Sequence, residues 1–213
     1  MITSGLYLVI DPSMEEKTLL HKLEIVLSEK VAAVQIWDNF NPGHHVHELI
    51  RSVVALAHAS GVPVLINNRW ELLQDTPLDG VHFDSIPKDF AAVKKAVGRP
   101  FIAGLTCTND LSLVQWATRE QFDYVSFCSV FPSATATSCE LVTFDTIREA
   151  KRLSTIPVFL AGGIKPGNMD ELAGLAYDGV AVISGVMSAD DPRQSIKAYL
   201  EKLTPSRHEI KNY

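Results

Sequence analysis

Val158-Phe159-Leu160-Ala161-Gly162-Gly163-Ile164-Lys165-Pro166-Gly167-Asn168, followed by Gly179-Val180-Ala181-Val182-Ile183-Ser184-Gly185, is the stretch that decides the fold. A continuous apolar run without polar alternation reads as a parallel strand buried on both faces. The first run stops at paired glycines, where backbone can approach a ligand without side-chain obstruction. The second stops at Ser184-Gly185. Neighbouring strands that end in small residues offer convergent backbone N–H groups. In a (β/α)8 barrel the loops after strands seven and eight frequently form a phosphate site. A Gly-Gly pair alone is explained by a tight turn, and the second Ser-Gly end is what argues for an anion site.

Working outward, the same alternation fills the chain. Strand-like runs fall at 6–10, 32–36, 63–66, 80–83, 101–105, 124–127, 158–161 and 179–183. Helical spacing links them: Leu19, Leu20, Leu23, Val26 and Leu27 mark one apolar face, and Val46, Leu49, Ile50, Val53 and Ala57 another. Ile196, Tyr199, Leu200 and Leu203 mark the last helix. Asn168 with Glu171 three residues on has the form of an N-cap and its capping-box partner, predicting a helix directly after the Gly-Gly turn. Eight βα units predict one α/β domain, a single (β/α)8 TIM barrel over residues 1–203, with a polar tail at 204–213. A doubly wound sheet is the alternative, but no Gly-x-Gly-x-x-Gly follows the first strand.

The formal net charge of −6 argues against nucleic acid or an anionic membrane as the partner. No apolar run approaches the roughly 20 residues of a membrane span. Met1–Gly5 lacks a basic region, so no signal peptide is expected. Cys107, Cys128 and Cys139 form neither an even framework nor a metal-type spacing, so a reducing, cytoplasmic location is expected.

In a barrel the chemistry sits at the C-terminal strand ends. Those positions carry Asp11, then Gln35, Trp37, Asp38 and Asn39, then Asn67, Asn68 and Arg69, then His82 and Asp84. Thr106 and Cys107 follow strand five, Cys128 and Ser129 strand six. His44, His45 and His47 open the second helix and read as a solvated helix start, with an anion contact as the sharper reading. His82 reads as a hydrogen-bonding histidine at the barrel mouth rather than a base.

Several segments in order resemble the thiamine-phosphate synthase family, which also has a thiazole tautomerase branch. They are Leu6-Tyr7-Leu8-Val9-Ile10-Asp11, Val34-Gln35-Ile36, Leu65-Ile66-Asn67-Asn68-Arg69, Asp79-Gly80-Val81-His82, Asp123-Tyr124-Val125, Val130-Phe131-Pro132-Ser133 and the two glycine-ended runs. The resemblance covers Leu6 to Leu203 and implies joining of a hydroxymethylpyrimidine diphosphate to a thiazole phosphate with loss of diphosphate. It implies Mg2+ for that reaction and small phosphorylated substrates as the partners, and it leaves the oligomeric state open, a homo-oligomer included. It places Gly162, Gly163, Ile183 and Ser184 in a thiazole-phosphate cup. It places Gln35, Trp37, Asn67, Asn68, Ser133 and Thr135 in the pyrimidine–diphosphate subsite, and Asp84 nearest a metal carboxylate. Thr106, Cys128 and Ser129 take the catalytic positions.

The departures share one direction. The family's Gln-x-Arg-x-Lys reads Gln35-Ile36-Trp37-Asp38-Asn39, its Asn-Asp reads Asn67-Asn68, and its Thr-x-Thr-Lys reads Ser133-Ala134-Thr135-Ala136. Three cations and one carboxylate are gone from the diphosphate–Mg2+ half, while the cup is complete. Weakened synthase turnover is expected, because removing even one preorganised charge-stabilising group costs roughly 10²–10³ in rate. Two other readings stay open. One is a metal-free tautomerase acting on thiazole phosphate through Cys128 or Cys107. The other is a non-catalytic binder of a thiazole or thiamine phosphate.

Overall fold

The computed structural model describes residues 2–133 and 140–203. Thr135, Cys139 and the tail 204–213 lie outside the described residues.

Eight parallel strands close into a barrel in chain order. They are β1 (Gly5–Ile10), β2 (Ala33–Ile36), β3 (Val64–Asn67), β4 (Gly80–Phe83), β5 (Ile102–Cys107), β6 (Tyr124–Cys128), β7 (Val158–Ala161) and β8 (Gly179–Val182). β8 returns to β1 with Gly5 opposite Gly179 and Leu8 opposite Val182, which removes both sheet edges. The helices are α1 (Glu16–Leu27), α2 (Val46–Ala59), α3 (Phe90–Val97), α4 (Ser112–Arg119), α5 (Phe144–Leu153), α6 (Ser184–Met187) and α7 (Pro192–Leu203). The apolar faces read from spacing are the buried ones, except that Leu20, Val46, Leu200 and Leu203 are only half-buried at the margins.

Two connections differ from the regular pattern. Only a 3-10 turn, Trp70–Gln74, lies between β3 and β4, and only another, Met169–Leu172, between β7 and β8. Asn168 is therefore not the cap of an α-helix. Its side chain turns back, accepting from the Lys165 N–H at 2.8 Å and donating to the Gly163 carbonyl at 3.0 Å. The capping-box spacing is satisfied by bracing the glycine loop instead.

Strand side chains alternate between two cores. The outer core packs strands against helices, with Leu6, Leu8, Ile10, Val34, Ile36, Val81, Leu105, Val125 and Leu160 among its members. The inner core fills the barrel with Tyr7, Val9, Ala33, Leu65, Tyr124 and Phe159, and Ile2 joins it from just before β1. Three aromatic rings in so small a barrel need room. A Cβ on Gly104 would overlap the Tyr124 ring, and a Cβ on Gly179 would overlap the Phe159 ring. Gly104 is thus demanded by the large side chain on the neighbouring strand, and Gly179 by both the Gly5 carbonyl on β1 and the Phe159 ring on β7.

The opposite end of the barrel is tied by a repeated device. Asp79, Asp123 and Asp178 each stand just before an even-numbered strand. Their Oδ2 atoms accept from the backbone N–H of Val64 at 2.7 Å, Ala103 at 2.8 Å and Val158 at 2.7 Å. Each carboxylate pins the start of the preceding strand, satisfying a donor that the ladder leaves over. Asp178 also takes Lys151 Nζ at 2.7 Å. Asp-Gly-Val and Asp-Tyr-Val are therefore strand-start signatures in this chain, at the end of the barrel opposite the C-terminal strand ends.

Candidate active site

At the C-terminal ends of the strands the barrel opens into a cavity of about 700 Å³. One side is an arc of backbone from the loops after β7 and β8: Gly162, Gly163, Ile164 and Lys165, facing Ile183, Ser184 and Gly185. Gly162 and Gly163 have φ of 84° and 66°, the left-handed region that favours glycine. A Cβ on Gly162 would overlap Ser129, and one on Gly163 would overlap the carbonyls of Phe131 and Pro132. Gly185 has its own reason: a Cβ there would overlap the Tyr199 hydroxyl. That hydroxyl donates to the Ile164 carbonyl at 3.0 Å, so buried Tyr199 of α7 braces both arms of the arc. The glycines were expected for ligand approach, and their neighbours already require them.

The other side of the cavity is a line of hydrogen-bonded side chains crossing the barrel. Tyr7 OH donates to Gln35 Oε1 at 2.9 Å, and the Tyr7 and Tyr124 hydroxyls are 2.7 Å apart. Tyr124 OH lies 2.9 Å from His82 Nδ1, and His82 Nε2 lies 2.8 Å from Thr106 Oγ1. Gln35, Tyr7, Tyr124 and His82 are buried, and all five residues line the cavity. Burial raises both phenols well above the usual tyrosine value, Tyr124 further through its contact with Tyr7. Desolvation lowers His82 from 6.5 to about 4 against the opposing pull of Asp84. At neutral pH the imidazole is uncharged.

This burial has a measurable consequence. The unfolded chain takes up a proton on residue 82 near pH 6.5 and the folded chain only near 4. The folded state therefore binds fewer protons between those values, and stability falls as pH drops through that window. The expected loss from this group is up to about 3 kcal/mol at pH 4, and none above about pH 7. Urea midpoints at pH 7, 5.5 and 4.5 check it, with His82→Gln showing a flatter decline.

Charge is sparse in the cavity. Lys165 is the single Lys or Arg on its wall among the described residues, and the carboxylates there are Asp84 and Glu140. Trp37, one strand repeat beyond Gln35, lines the wall and packs on the inner core. Asn39 is not on the wall, because its Nδ2 donates to both oxygens of Asp11, at 3.0 and 3.2 Å. Asn68, at φ 57°, is likewise directed elsewhere: Nδ2 donates to Asp84 Oδ2 at 2.8 Å and Oδ1 accepts the Asp84 N–H at 2.9 Å. Arg69 sits 3.8 Å from Asp38 and over the Phe40 ring. Asp38 is raised by desolvation, with Arg69 opposing.

Of the residues named from sequence, the fold brings Gln35, Trp37, Asn67, Asp84, Thr106, Cys128, Ser133, Gly162, Gly163, Ile183 and Ser184 onto one cavity wall. Two stand apart. Ser129 is buried beneath the glycine loop and donates to the Phe131 carbonyl at 2.8 Å, so its hydroxyl is a loop brace and not part of the wall. Asn68 reaches the cavity only through Asp84. Cys107 does not face Cys128. It packs in the outer core, where burial pushes its thiol up to about 12, and neither its place nor its ionisation suits proton transfer. The second-helix histidines also lie off the wall, with His47 Nε2 3.0 Å from Asp75 and His44 Nδ1 accepting from the Asn41 N–H at 3.2 Å. Sequence reasoning missed Tyr7, Tyr124, Phe159 and Lys165. The alternation within β1, β6 and β7 was the signal that would have placed the three aromatics inside.

The family model described as thiamine monophosphate synthase matches residues 6–186. The chain belongs to the thiamine monophosphate synthase family. A thiamine-phosphate synthase of Aromatoleum aromaticum is 30% identical over 195 residues, covering 92% of this chain and 94% of that protein. One from Picrophilus torridus is 30% identical over 203 residues, covering 95% and 98%. Among solved structures, a thiamine phosphate pyrophosphorylase from Pyrococcus furiosus superposes with a TM-score of 0.81 at 23% identity, covering 93% of this chain and 95% of that one. Orotidine 5'-monophosphate decarboxylase from Methanocaldococcus jannaschii superposes at 0.69 with 17% identity, a likeness of fold alone. Family members carry Mg2+ chemistry as a rule. Among the described residues no three His, Cys, Asp or Glu groups cluster as a closed metal cage. The carboxylates on the wall are Asp84 and Glu140, and Mg2+ is commonly held by one or two carboxylates plus substrate phosphates. No described helix is long and apolar enough to cross a membrane.

Proposed function

We propose that this chain is a thiamine-phosphate synthase-like transferase with a weakened diphosphate subsite. The observation that carries this reading is one cavity with two unlike ends. The glycine arc with Lys165 suits the monophosphate of a thiazole, and the side-chain line under Trp37 suits the edge and face of a pyrimidine. A condensing enzyme needs two such subsites in one space, whereas a monophosphate binder needs one.

In the reaction the bond from the exocyclic methylene to the diphosphate oxygen breaks, and diphosphate leaves with the electron pair. The thiazole nitrogen lone pair then forms the new C–N bond to that methylene. The chain's part is mostly placement. Gly162, Gly163, Ser184 and Lys165 hold the thiazole by its phosphate, while Gln35 and Thr106 fix the pyrimidine edge. Trp37 covers the ring and excludes water from the electron-poor carbon. Ser133 supplies a hydroxyl donor toward the diphosphate. Asp84 is the wall carboxylate that would hold a Mg2+ ion, and such an ion would supply charge neutralisation of the leaving group.

One observation favours a second reading, metal-free proton transfer on a thiazole phosphate. Cys128 lies on the wall, and the cavity's cation is at the monophosphate end. A single pair of measurements separates the two. Calorimetric titration with thiazole phosphate and with pyrimidine diphosphate, each with and without Mg2+, should show both binding, and Mg2+ should strengthen the diphosphate. Turnover at high protein concentration should then give thiamine phosphate and stop with chelator. Thiazole conversion that ignores chelator and is lost in Cys128→Ala would install the second reading. Thiazole-phosphate binding alone, with no conversion, would leave a binder.

A further inference from the structure

The five side chains crossing the barrel carry a direction, and it determines what the cavity offers a ligand. Each phenol has one proton and two polar neighbours, and a neutral imidazole has one N–H. The protons must therefore be ordered along the line. Gln35 turns Oε1 to Tyr7, so Tyr7 spends its proton there and its oxygen accepts from Tyr124. Tyr124 has then used its proton, and its oxygen takes the Nδ1–H of His82. His82 Nε2 is left with a lone pair, which accepts the Thr106 hydroxyl proton.

We infer that Tyr124 is a positioning residue. It holds His82 as the Nδ1–H tautomer and Thr106 as a donor to it, so that the Thr106 oxygen faces the cavity as an acceptor for a ring amino group. Gln35 presents its amide N–H2 at the other end of the line. The wall thus reads donor at β2 and acceptor at β5, with the three residues between consumed internally. A flat heterocycle with a ring nitrogen toward Gln35 and an amino group toward Thr106 matches. The oxo analogue would set a carbonyl oxygen against the lone pairs of Thr106. The ligand part of this inference rests on the reading of that end as the pyrimidine subsite, while the proton order rests on the hydrogen-bond distances and on the burial that keeps the His82 ring neutral.

The test uses the full chain labelled with 15N-histidine. The chain has seven histidines, and His82→Gln assigns the resonance. Long-range 1H–15N spectra at neutral pH should show residue 82 protonated at Nδ1. In Tyr124→Phe the ring contacts to Tyr7, Phe159 and His82 remain. The Nδ1 partner is lost, Thr106 becomes the acceptor, and the imidazole should switch to Nε2–H. Calorimetry with the uncharged aminopyrimidine methanol and its oxo counterpart should show the amino compound preferred by about tenfold in the wild type, and the preference lost in Tyr124→Phe. If Tyr124→Phe does not fold, Thr106→Val serves: the Nδ1–H form should persist while the amino preference disappears. An Nε2–H tautomer in the wild type, an unchanged tautomer in Tyr124→Phe, or a preference that survives these changes would overturn the inference. Absent turnover with tautomer and preference as stated would count against the synthase reading and leave this one standing.

Discussion

Gly163→Asp should abolish thiazole-phosphate binding, with a loss of at least about 10³ in affinity. Two costs combine. At φ 66° a side chain is disfavoured by roughly 1–2 kcal/mol, and its Cβ would overlap the carbonyls of Phe131 and Pro132. Those carbonyls belong to a loop held by the Phe131 N–H donating to the Gly162 carbonyl at 3.0 Å, so the arc must shift to make room. The carboxylate then stands in the cup itself. A like charge at about 4 Å costs about 4 kcal/mol at an effective dielectric of 20, which alone approaches a thousandfold. Gly163→Ala separates the contributions, since it carries the strain and not the charge, and should lose far less. Calorimetry against thiazole phosphate reads the effect, with thermal melts confirming that both variants fold. Near-normal binding by a folded Gly163→Asp would remove the phosphate from this arc and take the synthase reading with it.

Trp37→Arg should move activity the other way. The cavity wall carries Lys165 at the monophosphate end and no Lys or Arg at the other, among the described residues. A pyrimidine diphosphate brings several negative charges to the end lined by Asp84. A guanidinium at residue 37 meets them with a planar, bidentate donor set. If charge is what limits the leaving group, kcat/KM for the diphosphate should rise about 10–10²-fold. The gain should shrink at high salt, because an exposed cation at a cavity mouth is screened. Some stability should be lost, since the indole packs on the inner core. Asn39→Lys, by contrast, should gain little. Residue 39 is directed at Asp11, and a lysine there would pair with that carboxylate rather than reach the cavity. A fall in turnover for Trp37→Arg would mean that stacking by the indole matters more to this chain than charge, and that its diphosphate subsite is rebuilt rather than degraded.

The contrast between residues 37 and 39 marks where reading the chain stopped. Both positions were visible as departures from a cationic pattern. Only the partners of each side chain distinguish a wall residue from one tied to a neighbouring strand. Ser129 and Asn168 make the same point. The family resemblance put Ser129 at a catalytic position and local spacing made Asn168 a helix cap; Ser129 instead hydrogen-bonds within its own loop beneath Gly162, and Asn168 ties back to the Gly163 carbonyl.

By itself the sequence determined the barrel, its eight strand positions and the glycine-ended loops after β7 and β8. Period and composition are properties of neighbours along the chain, and parallel strands buried on both faces leave an unbroken apolar signature. Set against the pattern of the family it resembles, it also showed uncharged residues at positions 37, 39 and 136 where cations are expected, because charge is written in the residue type. Only the tertiary structure decided the line from Gln35 through Tyr7, Tyr124 and His82 to Thr106. Its five members come from five different strands, and their protons are ordered by distances of 2.7–2.9 Å that closure of the barrel creates. A tyrosine in a strand reads as packing until another strand places a hydrogen-bond partner against its hydroxyl. Burial then does the rest, removing the water that would otherwise satisfy each group and leaving the side chains to satisfy one another.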